Sequence, residues 1–316
     1  MKTPEGLTYA LDHYHPIKKW FIKTIEHWSR KDEILSIYEN MPDRYLGKPE
    51  FFSGILEKIG VEIHTSAGGI DHIPTEGPLV IVANHPFGLL DGLILCQFAS
   101  TLRKNWAILI NNTMSKFEDF AEYMLPIAFD ETREASRINI QTKRRATAML
   151  KQDSVVVVFP AGGVMTSEGF FGPTTGLDWK LFTAKLVQQS KAAVVPVYFH
   201  GRNSRKFHIF SQISSMMRES LFLHEFTNKW HKPQKVEIGD VILPEEYMLH
   251  SGTKQELTDF LRKKVYDLGG PNIVKTRQRK DYLDASIGQS SGEIRQERRQ
   301  GRKERRRERL RSILSS

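Results

Sequence analysis

The sequence predicts an α/β fold, with a mostly parallel central sheet flanked by helices. Through the middle of the chain, short apolar runs rich in β-branched residues alternate with segments of helical periodicity, which is typical of parallel strands joined by helical crossovers. Hydrophobic residues make up 40% of the 316 residues, enough for a buried core. The predicted strands are 79–83, 106–110, 155–159, 192–199 and 235–243, and the predicted helices are 93–102, 113–124, 133–150, 177–189 and 253–268.

Changes in composition predict three regions along the chain. Residues 1–60 form a helical N-terminal region, residues 61–271 hold the alternating strands and helices, and residues 272–316 form a basic tail. Residues 275–316 contain 14 Lys and Arg against 6 Asp and Glu, so this segment carries +8 of the formal charge of +9. Because the tail has few apolar residues to bury, we expect it to be disordered or a solvated helix.

An aromatic face marks the N-terminal region. Trp20, Phe21, Ile25 and Trp28 recur near one face at helical spacing, with lysines and arginines beside them. Such a face either packs against the main domain or lies on a lipid surface as an amphipathic helix. The sequence is consistent with both interpretations.

The single cysteine, Cys96, excludes an intrachain disulfide. It lies in an apolar run, where a buried and unreactive thiol is expected, and its isolation is consistent with the reducing cytosol. The residues after Met1 are polar and lack the short apolar segment of a signal peptide. Because no stretch approaches the roughly 18 apolar residues of a spanning helix, we expect a soluble or peripheral protein.

The most informative motif is a histidine and an aspartate that follow the first predicted strand. In the segment 82–92, Val-Ala-Asn-His-Pro-Phe-Gly-Leu-Leu-Asp-Gly, the strand ends, a turn follows and a helix begins. Asp91 lies near the helix start, where a carboxylate is favoured, and the turn can bring it back to His85. A carboxylate bonded to one ring nitrogen leaves the other nitrogen to accept a proton. This is the base and orienting group of a Ser-His-Asp enzyme without its serine, so the nucleophile would belong to the substrate.

Two interpretations of this pair remain open from the residues alone. Either His85 is a general base oriented by Asp91, or it is a buried histidine with satisfied hydrogen bonds beside a helix-capping aspartate. The compact arrangement directly after a strand favours the first interpretation.

The segment resembles the His-Asp block of the glycerolipid acyltransferase superfamily, which includes the 1-acylglycerol-3-phosphate acyltransferases. Four residues usually separate the two side chains in that superfamily, whereas five, Pro86 to Leu90, separate them here. The motif Asn-His-Pro-Phe-Gly is most similar to that of the hemolysin-like and ornithine-lipid-type branch of these acyltransferases. The resemblance covers about residues 70–245 and implies the fold of the glycerol-3-phosphate acyltransferases.

A second block, Phe159-Pro160-Ala161-Gly162, resembles the Phe-Pro-Glu-Gly block of the same superfamily. Ala161 stands where relatives have a glutamate near the acceptor, and Glu168 is a possible substitute. Gly162 and Gly163 would let backbone N–H groups approach a phosphate or an oxyanion. The alternative is a plain turn from a strand into a loop.

Two further blocks follow in the order that the resemblance implies. Val195-Pro196-Val197 resembles a structural block that lines the acyl site, and Arg202 and Arg205 follow that strand, where they could bind a phosphate or carboxylate. Arg133 is the candidate for contact with an acceptor phosphate, with Arg137 second. Each of these arginines could instead be a solvated surface charge.

The resemblance implies an enzyme that moves a fatty acyl group from acyl carrier protein or coenzyme A to a lysolipid-like acceptor in membrane lipid biosynthesis. His85 would remove the proton of the acceptor, and Asp91 would stabilise the charge that develops. No cofactor and no metal site are expected, since no histidine spacing matches a zinc site. The residues expected to contact substrates are Asn84, Gly88, Arg133, Phe159, Pro160, Gly162, Gly163 and Arg202.

Three other functions remain alternatives. The acceptor could be an amino-acid amine of the ornithine type, or the protein could be an inactive, lipid-binding relative, given Ala161 and the longer spacing. The Arg-rich tail could bind nucleic acid, although the basic residues do not extend into the body and no recognition motif is present. We expect instead that the tail binds an anionic membrane surface, with the protein in the cytoplasm on the inner face of the cell membrane.

Overall fold

The structure of the protein is a computed structural model. The aromatic residues predicted to form a helical face, at positions 20–28, and the tail beyond Arg277 lie outside the residues that it describes. The described residues are 30–41, 45, 50–66, 68–112, 118–129, 132–167, 169, 172, 174–213, 215–270 and 276–277.

Helices and strands alternate along the described chain. The helices are α1 (Lys31–Glu39), α2 (Glu50–Lys58), α3 (Leu89–Leu102), α4 (Arg133–Leu150), α5 (Leu181–Ser190), α6 (Arg205–Ile213), α7 (Ser215–Thr227), α8 (Pro244–Met248) and α9 (Lys254–Asp267). The strands are β1 (Ile63–Thr65), β2 (Leu79–Ala83), β3 (Trp106–Asn111), β4 (Met124–Ile127), β5 (Val155–Val158), β6 (Thr166–Ser167), β7 (Thr174–Leu177), β8 (Ala193–Phe199), β9 (Gln234–Ile238) and β10 (Thr276–Arg277). A 3-10 helix, Glu118–Tyr123, precedes β4.

The main sheet has seven strands in the order β1-β9-β8-β2-β5-β3-β4. Strands β8, β2, β5, β3 and β4 run parallel, whereas β9 is antiparallel to β8 and parallel to β1. The mostly parallel sheet predicted from the sequence is therefore confirmed. A small second sheet joins β6, β7 and β10, so Thr276 and Arg277 form a strand where the sequence predicts a disordered or helical tail.

The central strands are buried on both faces, which explains their continuous runs of valine and isoleucine. In β2, Leu79 and Ile81 face the layer that contains α2 and α3, whereas Val80 and Val82 face the layer of α4, α5 and α9. Complete burial of one such side chain stabilises the fold by about 1.5–3 kcal/mol. The two helical layers therefore hold the central strands, and the loops that leave them, in a fixed arrangement.

Helix α2 packs in the same core as the sheet. Its Phe52 ring meets Trp106 of β3 edge to face, with 5.3 Å between the ring centroids, and Phe51 contacts Phe120 at 4.6 Å. The described part of the N-terminal region thus shares a core with the α/β domain, and the division at residue 60 stays a prediction.

The predicted helix 133–150 agrees with α4 at both ends. Its start is specified locally, because the Thr132 hydroxyl accepts the N–H of Ala135 at 3.0 Å, as a good N-terminal cap does. Strand β2 also has its predicted bounds, 79–83. Helix α3 begins at Leu89 rather than at the predicted residue 93, and this earlier start puts Asp91 in its first turn.

The helix predicted at 113–124 is wrong for the residues that the structure describes. Residues 118–123 form the 3-10 helix, and Met124–Ile127 is strand β4, which pairs with β3 at the edge of the sheet. Pro126 is tolerated there because an edge strand can lack one N–H donor.

Two other predicted elements are misplaced in part. The helix predicted from residue 177 begins only at Leu181, because residues up to Leu177 belong to β7. Strand β9 ends at Ile238, whereas the predicted strand continues to residue 243. A single bridge between Ile242 and Val194 is what remains of that continuation.

Helices α6 and α7 lie between β8 and β9, where the sequence pattern predicts no helix. Phe207 of α6 and Leu221 of α7 pack against Val164, in the loop that follows β5. This helical pair therefore covers loops at the carboxyl ends of the central strands. None of the helices in the described part of the chain is long and apolar enough to cross a membrane.

Candidate active site

The candidate site lies at the carboxyl ends of the three central parallel strands. β2 ends at Ala83, β5 at Val158 and β8 at Phe199, and these strands are neighbours in the sheet. Open α/β sheets bind their ligands in crevices at these ends. His85 and Phe159 each follow one of these strands, so both side chains emerge at this edge.

His85 and Asp91 are in direct contact, as the sequence predicts. The Nδ1 atom of His85 lies 3.0 Å from Oδ2 of Asp91, and the same oxygen accepts the N–H groups of Phe87 at 2.8 Å and Gly88 at 3.0 Å. Asp91 is fully buried, and a buried carboxylate is stable only when it is well hydrogen-bonded. Because a carboxylate only accepts, we assign the proton of this contact to Nδ1. In the neutral ring the Nε2 atom is then a proton acceptor.

Contacts fix the His85 ring but leave part of the side chain exposed to solvent. It stacks on Phe159, with 3.9 Å between the ring centroids and 20° between the planes, and the main-chain oxygen of His85 accepts the N–H of Met165 at 2.8 Å. The side chain is 17% exposed. The interpretation of His85 as a core histidine with both nitrogens satisfied does not fit this exposure, since the described residues give Nε2 no partner.

Gly88 shapes the turn that brings Asp91 back to His85. Its φ of +92° lies in a region that side chains rarely adopt. A Cβ atom at this position would also stand 3.3 Å from Val164 and 3.6 Å from Phe222. The glycine thus lets the turn pass close beneath α7 while its N–H points at Asp91.

The segment after β5 forms a tight turn below the imidazole. The N–H of Gly162 donates to the oxygen of Phe159 at 2.9 Å, so this N–H is already used within the turn. Gly163 follows without an acceptor for its N–H in the described part of the chain. Ala161 is buried, and Glu168, its possible substitute, lies outside the described residues.

A lysine that the sequence analysis missed stands beside this turn. The Lys180 N–H donates to the oxygen of Pro160 at 3.0 Å, and its ammonium nitrogen lies 3.4 Å from the centroid of the Phe129 ring. A Cβ on Gly162 would come within 2.5 Å of that ammonium. Lys180 was not a candidate site residue because it lies inside the predicted helix 177–189, whereas in the structure it precedes α5.

A family model described as "Acyltransferase" matches residues 8–271. The chain belongs to this family. The resemblance to the glycerolipid acyltransferases is thus confirmed, and the protein is an acyltransferase.

Two relatives of the acyltransferase are named lyso-glycine lipid O-acyltransferases. The protein from Phocaeicola vulgatus is 25% identical over 269 residues, which cover 83% of this chain and 92% of the relative. The protein from Bacteroides thetaiotaomicron is 27% identical over 273 residues, which cover 83% of this chain and 94% of the relative. A solved structure, the 1-acyl-sn-glycerophosphate (LPA) acyltransferase PlsC from Thermotoga maritima, matches with a TM-score of 0.43 and 16% identity, over 80% of this chain and 92% of that chain.

Asn84 of the acyltransferase joins two strands. Its Nδ2 donates to the oxygen of Phe199 at 3.0 Å, and its Oδ1 accepts the N–H of Phe199 at 2.7 Å. The side chain is buried and both of its polar ends are used. The predicted contact of Asn84 with substrate stays a prediction. Its two hydrogen bonds to Phe199 give it a structural role.

The predicted arginines do not meet the His85–Asp91 pair in the described part of the acyltransferase. Arg133 is exposed at the start of α4 and lines a groove of about 610 Å³ together with Arg137 and Arg144. Arg202 is exposed in the loop after β8, and its main-chain oxygen accepts the ammonium of Lys229 at 3.0 Å. Their roles in binding substrate stay predictions.

Cys96 is buried in α3 against the sheet, as predicted. Burial raises the pKa of its thiol, which disfavours the reactive thiolate. The cysteine is therefore no competitor of His85 for a catalytic role.

Proposed function

We propose that the acyltransferase moves a fatty acyl group from a thioester donor to the hydroxyl group of a lyso-amino-acid lipid, with His85 as general base. The observation that carries this proposal is the 3.0 Å contact between His85 Nδ1 and Asp91 Oδ2, which leaves Nε2 as the acceptor of a proton. The two relatives named for O-acylation of lyso-glycine lipid support the acceptor class.

In the proposed reaction, the acceptor hydroxyl attacks the thioester carbonyl while His85 Nε2 takes its proton. The imidazolium that forms is stabilised by Asp91, which keeps its negative charge. Collapse of the tetrahedral intermediate expels the thiol of the carrier, which recovers the proton from His85. The new ester and the free thiol are the products, and the histidine returns to its neutral form.

The tetrahedral intermediate carries an oxyanion that needs hydrogen-bond donors. Gly162 is poorly suited to this task, because its N–H donates within the turn to Phe159. We therefore assign the predicted oxyanion contact to the N–H of Gly163, one residue further along the same loop.

The proposed donor is acyl carrier protein or acyl coenzyme A, and the proposed location is the inner face of the cell membrane. The tail supports the location, because each Lys or Arg near an anionic leaflet contributes about 1 kcal/mol. A truncation after Val274 should bind anionic vesicles more weakly than the full chain at low salt. Equal binding would contradict the proposed role of the tail.

The central test is transfer by the purified full chain with each donor, offered lyso-glycine lipid or lysophosphatidic acid, with products identified by mass. Loss of a general base costs about 10²–10⁴-fold in rate, so we expect the kcat of His85→Ala to fall at least about 10²-fold. His64→Ala is the matched control, because His64 is an exposed histidine that also faces a carboxylate, that of Glu62 at 3.6 Å. A His85→Ala enzyme with the kcat of the wild type would refute the mechanism.

The charge of Asp91 is tested separately by Asp91→Asn. The amide oxygen can still accept the N–H groups of Phe87 and Gly88, so the turn should survive. It cannot balance the charge of the imidazolium, and the same change in a Ser-His-Asp enzyme costs about 10⁴-fold in kcat.

The acceptor class is tested by the products of the transfer assay. If the protein acylates an amine and not a hydroxyl acceptor, it is still an acyltransferase, but the proposed acceptor class is refuted.

A further inference from the structure

A second buried carboxylate lies in α7, near the turn of residues 85–91 that joins His85 to Asp91 (the catalytic turn). Glu225 of α7 is fully buried, and it accepts both the N–H of Ser204, at 2.8 Å, and the Ser204 hydroxyl. A buried carboxylate is costly unless hydrogen bonds compensate it, and Ser204 supplies two. Glu225 thereby ties α7 to the loop 200–204, which leaves β8 at the edge that holds His85.

The same loop is bound a second time by Lys229, two residues after α7. The ammonium of Lys229 donates to the oxygen of Arg202 at 3.0 Å and lies 4.6 Å from the centroid of the Phe87 ring. Burial lowers the pKa of Lys229, and the Glu225 carboxylate opposes this shift. Lys229 is thus a partly buried cation between the loop and the catalytic turn.

Phe87 is enclosed by these groups on several sides. A Cβ on Gly201 would stand only 2.8 Å from the tip of the Phe87 ring, so the loop approaches Phe87 as closely as a glycine permits. The Nδ2 atom of Asn203 lies 3.5 Å from the oxygen of Phe87. The position of Phe87 therefore depends on the loop that Glu225 and Lys229 hold.

Phe87 in turn positions the catalytic carboxylate. Its N–H donates to Asp91 Oδ2 at 2.8 Å, the same oxygen that contacts His85. The other oxygen, Oδ1, has no hydrogen-bond partner in the part of the chain that the structure describes. The orientation of Asp91 therefore rests on a few groups, of which Phe87 is one.

We propose that Glu225 and Lys229 are positioning residues, which hold the loop 200–204 against Phe87 and so keep Asp91 directed at His85. This inference rests on the proposed role of His85 and Asp91. Lys229 acts as a hydrogen-bond donor, because its ammonium holds the oxygen of Arg202. The charged groups that face Lys229 are Glu225, Asp91 and Lys232.

The decisive experiment compares Lys229→Met with Lys229→Arg in the full chain, by kcat and by KM for donor and acceptor. We expect Lys229→Met to lower kcat about tenfold with KM for donor and acceptor within about twofold, because misplacement of catalytic groups acts on the chemical step. Lys229→Arg should restore most of kcat, since its guanidinium can still donate to the oxygen of Arg202.

Lys232→Met is the matched control, because Lys232 is an exposed lysine three positions further along, and its ammonium bonds only to Asn228 among the described residues. It should leave kcat and both KM values unchanged. Glu225→Gln keeps the size of the buried side chain and should lower kcat with little change in KM. Should Glu225→Gln fail to fold, the Lys229 set still decides.

Two results would overturn the proposal. One is a Lys229→Met enzyme with the kcat of the wild type, or with a change in KM alone. The other is a Lys229→Arg enzyme whose kcat is as low as that of Lys229→Met. His85→Ala, assayed beside them, separates the hypotheses: if it is inactive while the Lys229 variants are normal, only the positioning role fails, whereas an active His85→Ala removes the general base itself.

Discussion

The imidazole of His85 lies flat on the ring of Phe159, 3.9 Å away between centroids. Phe159 covers one face of the imidazole, and Asp91 holds Nδ1 at one edge. Two contacts of different kinds, one apolar and one charged, thus set both the plane and the rotation of the ring. The Nε2 edge has no hydrogen-bond partner among the described residues, and the side chain is 17% exposed, so this edge is available to the substrate.

The stack predicts a specific effect of Phe159→Ala. Aromatic pairs are worth about 0.5–1.5 kcal/mol beyond their burial, so loss of the pair should lower kcat about two- to tenfold by loosening the ring. The matched control is Phe260→Ala, because Phe260 stacks on His250 in nearly the same geometry, at 4.1 Å and 13°. Both kcat values are measured with saturating donor and acceptor. An equal loss in the two variants would mean that the stack at His85 has no catalytic effect.

Gly162 and Gly169 offer a second matched pair. Their φ angles are +67° and +70°, so alanine at either position costs about 1–2 kcal/mol in backbone strain. A Cβ at Gly162 would also meet Lys180 at 2.5 Å and Phe129 at 2.9 Å, whereas a Cβ at Gly169 meets none of the described residues within 4 Å.

Chemical denaturation and turnover of the two variants separate strain from contact. Gly169→Ala should lose only stability. Gly162→Ala should lose more stability and, since it displaces the turn below His85, at least about tenfold in kcat. Equal turnover in the two variants would show that the closeness of Lys180 and Phe129 to this turn is unimportant for catalysis.

Much of this arrangement could be predicted from the sequence where it depends on local pattern. Helix α4 matches the predicted 133–150 because its periodicity is strong and Thr132 caps it. The contact between His85 and Asp91 was predictable because both lie on one short turn. The fully apolar strands β2 and β5 were predictable from their runs of valine and isoleucine.

What could not be predicted depends on contacts distant in sequence. Nothing near Lys180 in the sequence indicates that it approaches Gly162, because the path of the chain through the second sheet brings the two together. Likewise, Glu225 and Lys229 reach the catalytic turn through the loop after β8. Helix α6 is only nine residues long, and α7 has weaker sequence periodicity than α4. Both helices cover loops whose positions are set by the sheet.

Asn84→Ala should destabilise the fold more than it changes substrate affinity. The substitution leaves the N–H and the oxygen of Phe199 without their partner, and each buried group left unpaired costs about 1–3 kcal/mol. We therefore expect a loss of about 2–4 kcal/mol in the free energy of unfolding. The measurement is denaturant unfolding beside KM for donor and acceptor. A large rise in KM with unchanged stability would instead favour the predicted contact with substrate.

The stability of the protein should also depend on the protonation of His208. The side chain is 3% exposed, and burial lowers its pKa, while the Glu225 carboxylate opposes the shift and Arg202 adds to it. The folded state therefore binds this proton less readily than the unfolded chain, whose histidine pKa is about 6.5.

The sign of the effect follows from this difference. The contribution of neutral His208 is complete above about pH 6.5 and is lost as the pH falls from there towards the lower pKa of the folded state, by at most about 1.4 kcal/mol per pH unit. Unfolding by denaturant between pH 7.5 and 5 should show a shallower decline in His208→Gln than in the wild type. His64→Gln, which changes an exposed histidine, controls for the loss of a histidine as such. Parallel declines in wild type and His208→Gln would mean that this buried ring does not couple folding to pH.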